Sequence, residues 1–153
     1  MPYTTVTNFI KIAEAVAAVI NAHESSPGFT ITDAVSAVLS LNPKADLEDT
    51  ADLQVIVTPI SEQQEPANRG QVAYDYTVQV AIHKKVSGFT VDEIDPLVQL
   101  AGQIVALFRW GPLTGYAKAQ CFAAKLDPIL SRENLDQLRL FSAFAVLNFR
   151  VIE

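Results

Sequence analysis

Residues 71–86, QVAYDYTVQVAIHKKV, constrain the fold of this chain more than any other stretch. Val72, Tyr74, Tyr76, Val78, Val80 and Ile82 occupy every second position, with Gln71, Ala73, Asp75, Thr77, Gln79, Ala81 and His83 between them. Successive side chains of a strand point to opposite faces, so this spacing predicts one long strand with an apolar face and a mostly polar one. A strand of that length does not stand alone. It needs partners along its edges and a layer over its apolar face.

The rest of the chain supplies those partners. Residues 5–22 place Phe9, Ile12, Ala13, Val16, Ala17, Val19 and Ile20 at helical spacing, with Thr5 or Thr7 as N-cap and Ser25–Gly28 as the stop. Residues 29–41 alternate and are read as a strand, followed by an acidic loop over 42–52 and a short β-rich strand over 53–60. Residues 61–70, SEQQEPANRG, hold almost nothing apolar and are read as a long polar loop. Thr90 and Glu93 have the spacing of a capping box. They precede a helical stripe of Ile94, Leu97, Val98, Ala101, Ile104, Val105 and Phe108, with Asp95-Pro96 as an alternative start and Gly111-Pro112 as the stop. Residues 116–126 read as a strand of mixed polarity. Residues 138–152, apolar on both phases, read as a strand covered on both faces or buried in an interface. The expectation is a single α+β domain over residues 1–153, with a largely antiparallel sheet of about four to five strands and two helices packed on one face.

Composition narrows the function classes. Half the residues are hydrophobic and 18% are charged, below the roughly 25% usual for soluble domains, which favours a protein that hides surface in an oligomer. A net charge of −6 argues against nucleic-acid binding through clustered Lys and Arg. The single cysteine, Cys121, leaves no internal disulfide and fits a reducing compartment. The first residues carry no basic-then-apolar signal pattern, and no uninterrupted apolar run approaches a membrane span.

No catalytic constellation stands out: there is no GxSxG, no HExxH and no glycine loop for phosphate. His23 and His83 lie far apart and lack a second ligand at zinc spacing. Cys121, among Ala119, Phe122 and Ala123, reads as a small buried hydrophobe rather than a reactive thiol. Asp92, Glu93 and Asp95 suit the first turn of a helix. Asp46, Glu48, Asp49 and Asp52 lack the glycine and spacing of a calcium loop and read as solvated. No cofactor, metal site or enzymatic activity is expected.

Three features together resemble the tail-terminator, or tail-completion, proteins of long-tailed bacteriophages. They are the acidic run DLEDTADLQVIV from Asp46 to Val57 leading to Pro59, the polar stretch with Glu62, Glu65 and Arg69, and the alternating strand ending in VQVAIHKKV, Val78 to Val86, before a capped helix. The resemblance covers about residues 45–110. It implies a virion structural protein, made in the host cytoplasm, that forms a ring, usually of six subunits. Such a ring caps the finished tail tube, stops its growth and offers a docking surface to the neck or head. Its implied partners are copies of itself, the tail-tube protein and a neck or connector protein, with genomic DNA passing through the channel without specific binding and no membrane involved. A ring repeats one heterologous interface, and strand edges are natural places for it. Within this frame Glu62, Gln63, Gln64, Glu65 and Arg69 are the candidates for contacting the tube or lining the channel. Phe141, Phe144, Leu147 and Phe149 are the candidates for burial between subunits.

Other readings remain open at this point. One is a different neck component, such as a head–tail connector or stopper ring. The others are a small enzyme or ligand-binding α+β domain, which requires a pocket with convergent polar groups, and a dimeric regulatory module.

Overall fold

The computed structural model describes residues 7–22, 37–41, 53–87, 90–109, 111–127, 130–131, 135 and 139–153. In chain order these form helix α1 (Asn8–Ala22), strands β1 (Ala37–Leu39), β2 (Gln54–Asn68) and β3 (Gln71–Lys85), helix α2 (Val91–Ala106), and strands β4 (Pro112–Leu113), β5 (Tyr116–Leu126) and β6 (Leu140–Ile152). Residues 29–36 of the strand expected over 29–41, the stop at Ser25–Gly28 and the acidic loop over 42–52 lie outside the described residues.

The sheet has six strands in the order β1-β2-β3-β6-β5-β4. β1 runs parallel to β2, and every other neighbouring pair is antiparallel. The sheet is thus larger than the four to five strands expected and mixed. The difference comes from β4, two residues long, and from β1, which reaches its neighbour through a crossover rather than a hairpin. The alternating strand β3 lies inside the sheet as required, between β2 and β6. Its Tyr76, Val78, Val80 and Ile82 join one core with Ile12, Val16 and Ile20 of α1 and Leu100, Ala101 and Ile104 of α2. The helices form as their apolar stripes dictate. Each fully buried Leu, Ile or Val in such a core contributes about 1.5–3 kcal/mol.

α1 begins after Thr7, whose carbonyl accepts from the N–H groups of Ile10 and Lys11 at 3.1 and 2.9 Å. At α2, Thr90 has the extended backbone of an N-cap but no side-chain capping bond. Glu93 reaches past it, accepting from the N–H and Oγ of Ser87 at 2.7 and 2.9 Å. Asp95-Pro96 is therefore inside the helix and does not start it.

Two expectations about strands change. Residues 61–70 are not a loop: β2 continues through Asn68, and the only turn is Arg69–Gly70, with Gly70 at φ 83°. The polar sequence hid this because its strand conformation is imposed by pairing with β3, from Ser61 opposite Thr77 to Asn68 opposite Gln71. β6 is apolar on both phases because it is central. Its Phe141, Ala143, Ala145, Leu147, Phe149 and Val151 are all 0% exposed on the helix side, while Ser142 on the other face is equally buried.

Candidate interaction surface

β1 covers the outer edge of β2 only along Val55–Val57. Beyond that point, among the described residues, no strand pairs with the outer edge, and every residue from Ile60 to Gln71 is exposed. The direction of the main-chain groups follows from the neighbouring ladder. Val72 exchanges both bonds with Glu153, N to O at 2.7 Å and O from N at 3.0 Å, so its peptide groups face β6. In an antiparallel pair such groups alternate along the strand. Pro66, Gln64, Glu62 and Pro59, which sit opposite Val72, Tyr74, Tyr76 and Val78, therefore face outward. Val57 has the same phase, and its carbonyl accepts from Ser40 N at 2.9 Å on that side. Proline has no N–H, so the bare edge offers donors at Glu62 and Gln64 and none at either end.

Charge adds to the β3–β6 ladder in holding the hairpin to the body. Arg150 of β6 lies opposite Asp75 of β3 and donates to both its carboxylate oxygens, Nε at 2.7 Å and Nη2 at 3.0 Å. Nη2 also donates to Glu65 of β2 at 3.1 Å, so one guanidinium ties three strands. The Asp75 carboxylate, then its charge and that of Glu65, hold the Arg150 pKa above its ordinary value. On the helix side, Tyr76 is buried and its pKa is pushed well above the tyrosine range, first by loss of water and then by the Glu62 carboxylate that its hydroxyl meets. Asn68 Nδ2 donates to Gln71 Oε1 at 2.6 Å across the turn.

Beside this bridge, on the β5 side of Arg150, Lys118, Gln120, Phe122, Arg150 and Ile152 line a hollow of about 270 Å³. The Arg150 guanidinium lies 4.8 Å from the Phe122 ring centre there. With Asp75 and Glu65 already on Arg150, the hollow lacks the excess positive charge an anion would need.

Compared with protein-family models and with curated proteins, the chain matches none.

The sequence candidates separate into two groups. Glu62, Gln63, Gln64, Glu65 and Arg69 all lie on the exposed half of the hairpin. Phe141, Leu147 and Phe149 do not offer surface to a neighbour: each is 0% exposed inside this chain's own core, where Phe149 meets Phe108 edge-on at 6.4 Å. Phe144, on the opposite face, is half-buried and packs edge-on against His83 at 5.6 Å. His83 is itself buried, with Nδ1 2.7 Å from Ser142 Oγ. Cys121 is buried, its thiol 3.5 Å from the Ala123 carbonyl oxygen. His23 and the acidic residues Asp46, Glu48, Asp49 and Asp52 fall outside the described residues. Among the described residues no group of three or more His, Cys, Asp or Glu side chains is placed to hold a metal, and no helix is long and apolar enough to cross a membrane.

Arg150 and Asp75 were missed from sequence. The available signal was their isolation: Arg150 is the only charged residue in β6, and Asp75 is the only acid in β3. A lone acid in one strand and a lone base in its neighbour point to a cross-strand ion pair.

Proposed function

We propose that this protein is a structural subunit of a phage virion that forms a ring on the end of the tail tube, stops its growth and presents a docking face to the neck. The observation that carries this reading is the outer half of the β2–β3 hairpin. Its β2 arm is exposed from Ile60 through Asn68 yet braced by the Arg150 bridge to Asp75 and Glu65, as suits an element that meets another molecule without having to fold first. The resemblance of residues 45–110 to tail terminators supports it. In the ring, Glu62, Gln63, Gln64, Glu65 and Arg69 contact the tube or line the channel. Carboxylates facing the channel repel DNA phosphates and let the genome slide past without specific binding. The ring works by shape and strand edges, with no bond-making chemistry and no cofactor.

The test is mass in solution, alone and after mixing with tail-tube protein, read beside electron micrographs of the tubes. Rings seated on tube ends, with tube growth arrested, are expected. A stable two-fold dimer with no affinity for tubes overturns the proposal.

A further inference from the structure

Among the described residues two stretches of sheet edge have no strand partner, and they match. On β2 the residues whose peptide groups face outward beyond the bulge at Ile60 are Glu62 and Gln64. On β5, Asp127 N donates to Phe144 O at 2.8 Å while Cys121 N donates outward to Gly111 O at 3.0 Å. The alternation then turns the peptide groups of Ala124 and Leu126 outward. β4 pairs only with Tyr116 and Gln120, so Ala124 and Leu126 have no strand partner on that side among the described residues.

The two edges share a layout. Each open pair follows a bulge: Ile60 in β2 and Phe122 in β5. Each bulge carries a large exposed apolar side chain, 49% and 42% exposed respectively.

Their charges are opposite. Residues 61–68 of β2 contain Glu62 and Glu65 and no base, while Tyr116–Leu126 of β5 contains Lys118 and Lys125 and no acid. Within the chain, Lys118 pairs with Glu153 at 4.0 Å and Lys125 with Asp127 at 3.5 Å. Both are exposed pairs of the kind that contribute little and rearrange readily. Joining β2 to β2 would set glutamates against glutamates, and β5 to β5 lysines against lysines, both unfavourable across a strand pair. Joining β2 to β5 pairs opposite signs.

We infer that the occupant of each edge is a second copy of this chain. Glu62–Gln64 of one subunit adds as a strand to Ala124–Leu126 of the next, extending the sheet head to tail. This contact is heterologous, so it repeats head to tail, closing into a ring where the rotation between neighbours permits, instead of forming a two-fold pair. It deepens the assembly reading above and rests on it.

Two kinds of variant test the inference, each checked for folding by thermal unfolding. Gln64→Pro and Ala124→Pro remove an outward N–H without touching the ladders to β3 or β6. Each is expected to keep the folded subunit and to require at least about tenfold more protein for assembly. Charge reversal supplies the second arm: Glu62→Lys with Gln64→Lys on one edge, and Lys118→Glu with Lys125→Glu on the other. The first leaves the Glu65–Arg150 bridge intact. Each reversed protein alone is expected to stay unassembled, and an equal mixture of the two is expected to assemble with the chains alternating. Folded variants that assemble like the wild type, or a mixture that stays apart, overturn the edge pairing while leaving the ring reading standing. A wild-type protein that never self-associates, with or without tubes, removes both.

Discussion

Arg150 and Asp75 face each other across the β3–β6 ladder, and the guanidinium holds both oxygens of the carboxylate, at 2.7 and 3.0 Å. The same guanidinium reaches Glu65 on β2. On the face of the sheet away from the helices, a charged bridge therefore ties the exposed β2 arm of the hairpin to β3 and β6. Arg150→Gln should leave the core folded, because the side chain is 40% exposed. Amide exchange at residues 61–72 should speed up, and the wild-type hairpin should show the same loosening in high salt, which screens exposed pairs most. Hydrogen-exchange mass spectrometry at two ionic strengths checks this; equal exchange in both proteins contradicts it.

Phe149 and Phe144 occupy opposite faces of one strand and predict different costs. Phe149, 0% exposed, should lose about 3–5 kcal/mol on truncation to alanine. Half-buried Phe144 should lose clearly less, since part of its ring already meets water. Denaturant unfolding of the two variants gives the order directly.

Thr58 is 2% exposed, and among the described residues its Oγ1 has no hydrogen-bond partner. A buried hydroxyl without a partner carries a desolvation cost of about 1–3 kcal/mol. Thr58→Val keeps the shape and removes that cost, so it should raise the unfolding midpoint with an unchanged denaturant slope. A loss of stability would mean the hydroxyl is satisfied in solution.

Tyr76 and Tyr116 both have raised pKa values, chiefly because burial disfavours the phenolate. Unfolded, each ionises near its ordinary value of 10.0. Above that pH the unfolded chain gives up protons that the folded chain keeps, so stability is full below pH about 10 and falls as pH rises toward the folded values. Tyr76→Phe should flatten this alkaline decline. A chemical-denaturation series from pH 8 upward measures it.

Where burial follows a simple period, the fold was legible. The alternation of Val72 to Ile82 placed β3, and the stripes of Ile12–Ile20 and Leu97–Ile104 placed both helices. It was hidden where pairing overrides local composition. Ser61–Asn68 has no apolar phase to betray a strand, and its conformation comes from partners on β3, from Thr77 opposite Ser61 to Gln71 opposite Asn68, that sequence periodicity does not register. β4 is too short to show a pattern at all. Phe141, Leu147 and Phe149 read correctly as buried. Their surroundings could not be read, because a side chain enclosed by its own helices and one enclosed by a neighbour have the same polarity. The Arg150 bridge needed the register of three strands, which no single stretch contains.

The central place of β6 in the sheet also bears on how the chain is made. Among the elements the described residues form, β6 comes last in sequence, yet it joins the β1–β2–β3 half to the β4–β5 half. While the ribosome is still translating, neither half has its middle, and β3 waits with one flank unsatisfied. Contacts of such long sequence separation form slowly, and incomplete sheets of this kind are prone to misassociation. The interval before residues 140–152 emerge is thus the vulnerable moment in this protein's biosynthesis, and a nascent chain stalled short of them would be one for chaperones to shelter.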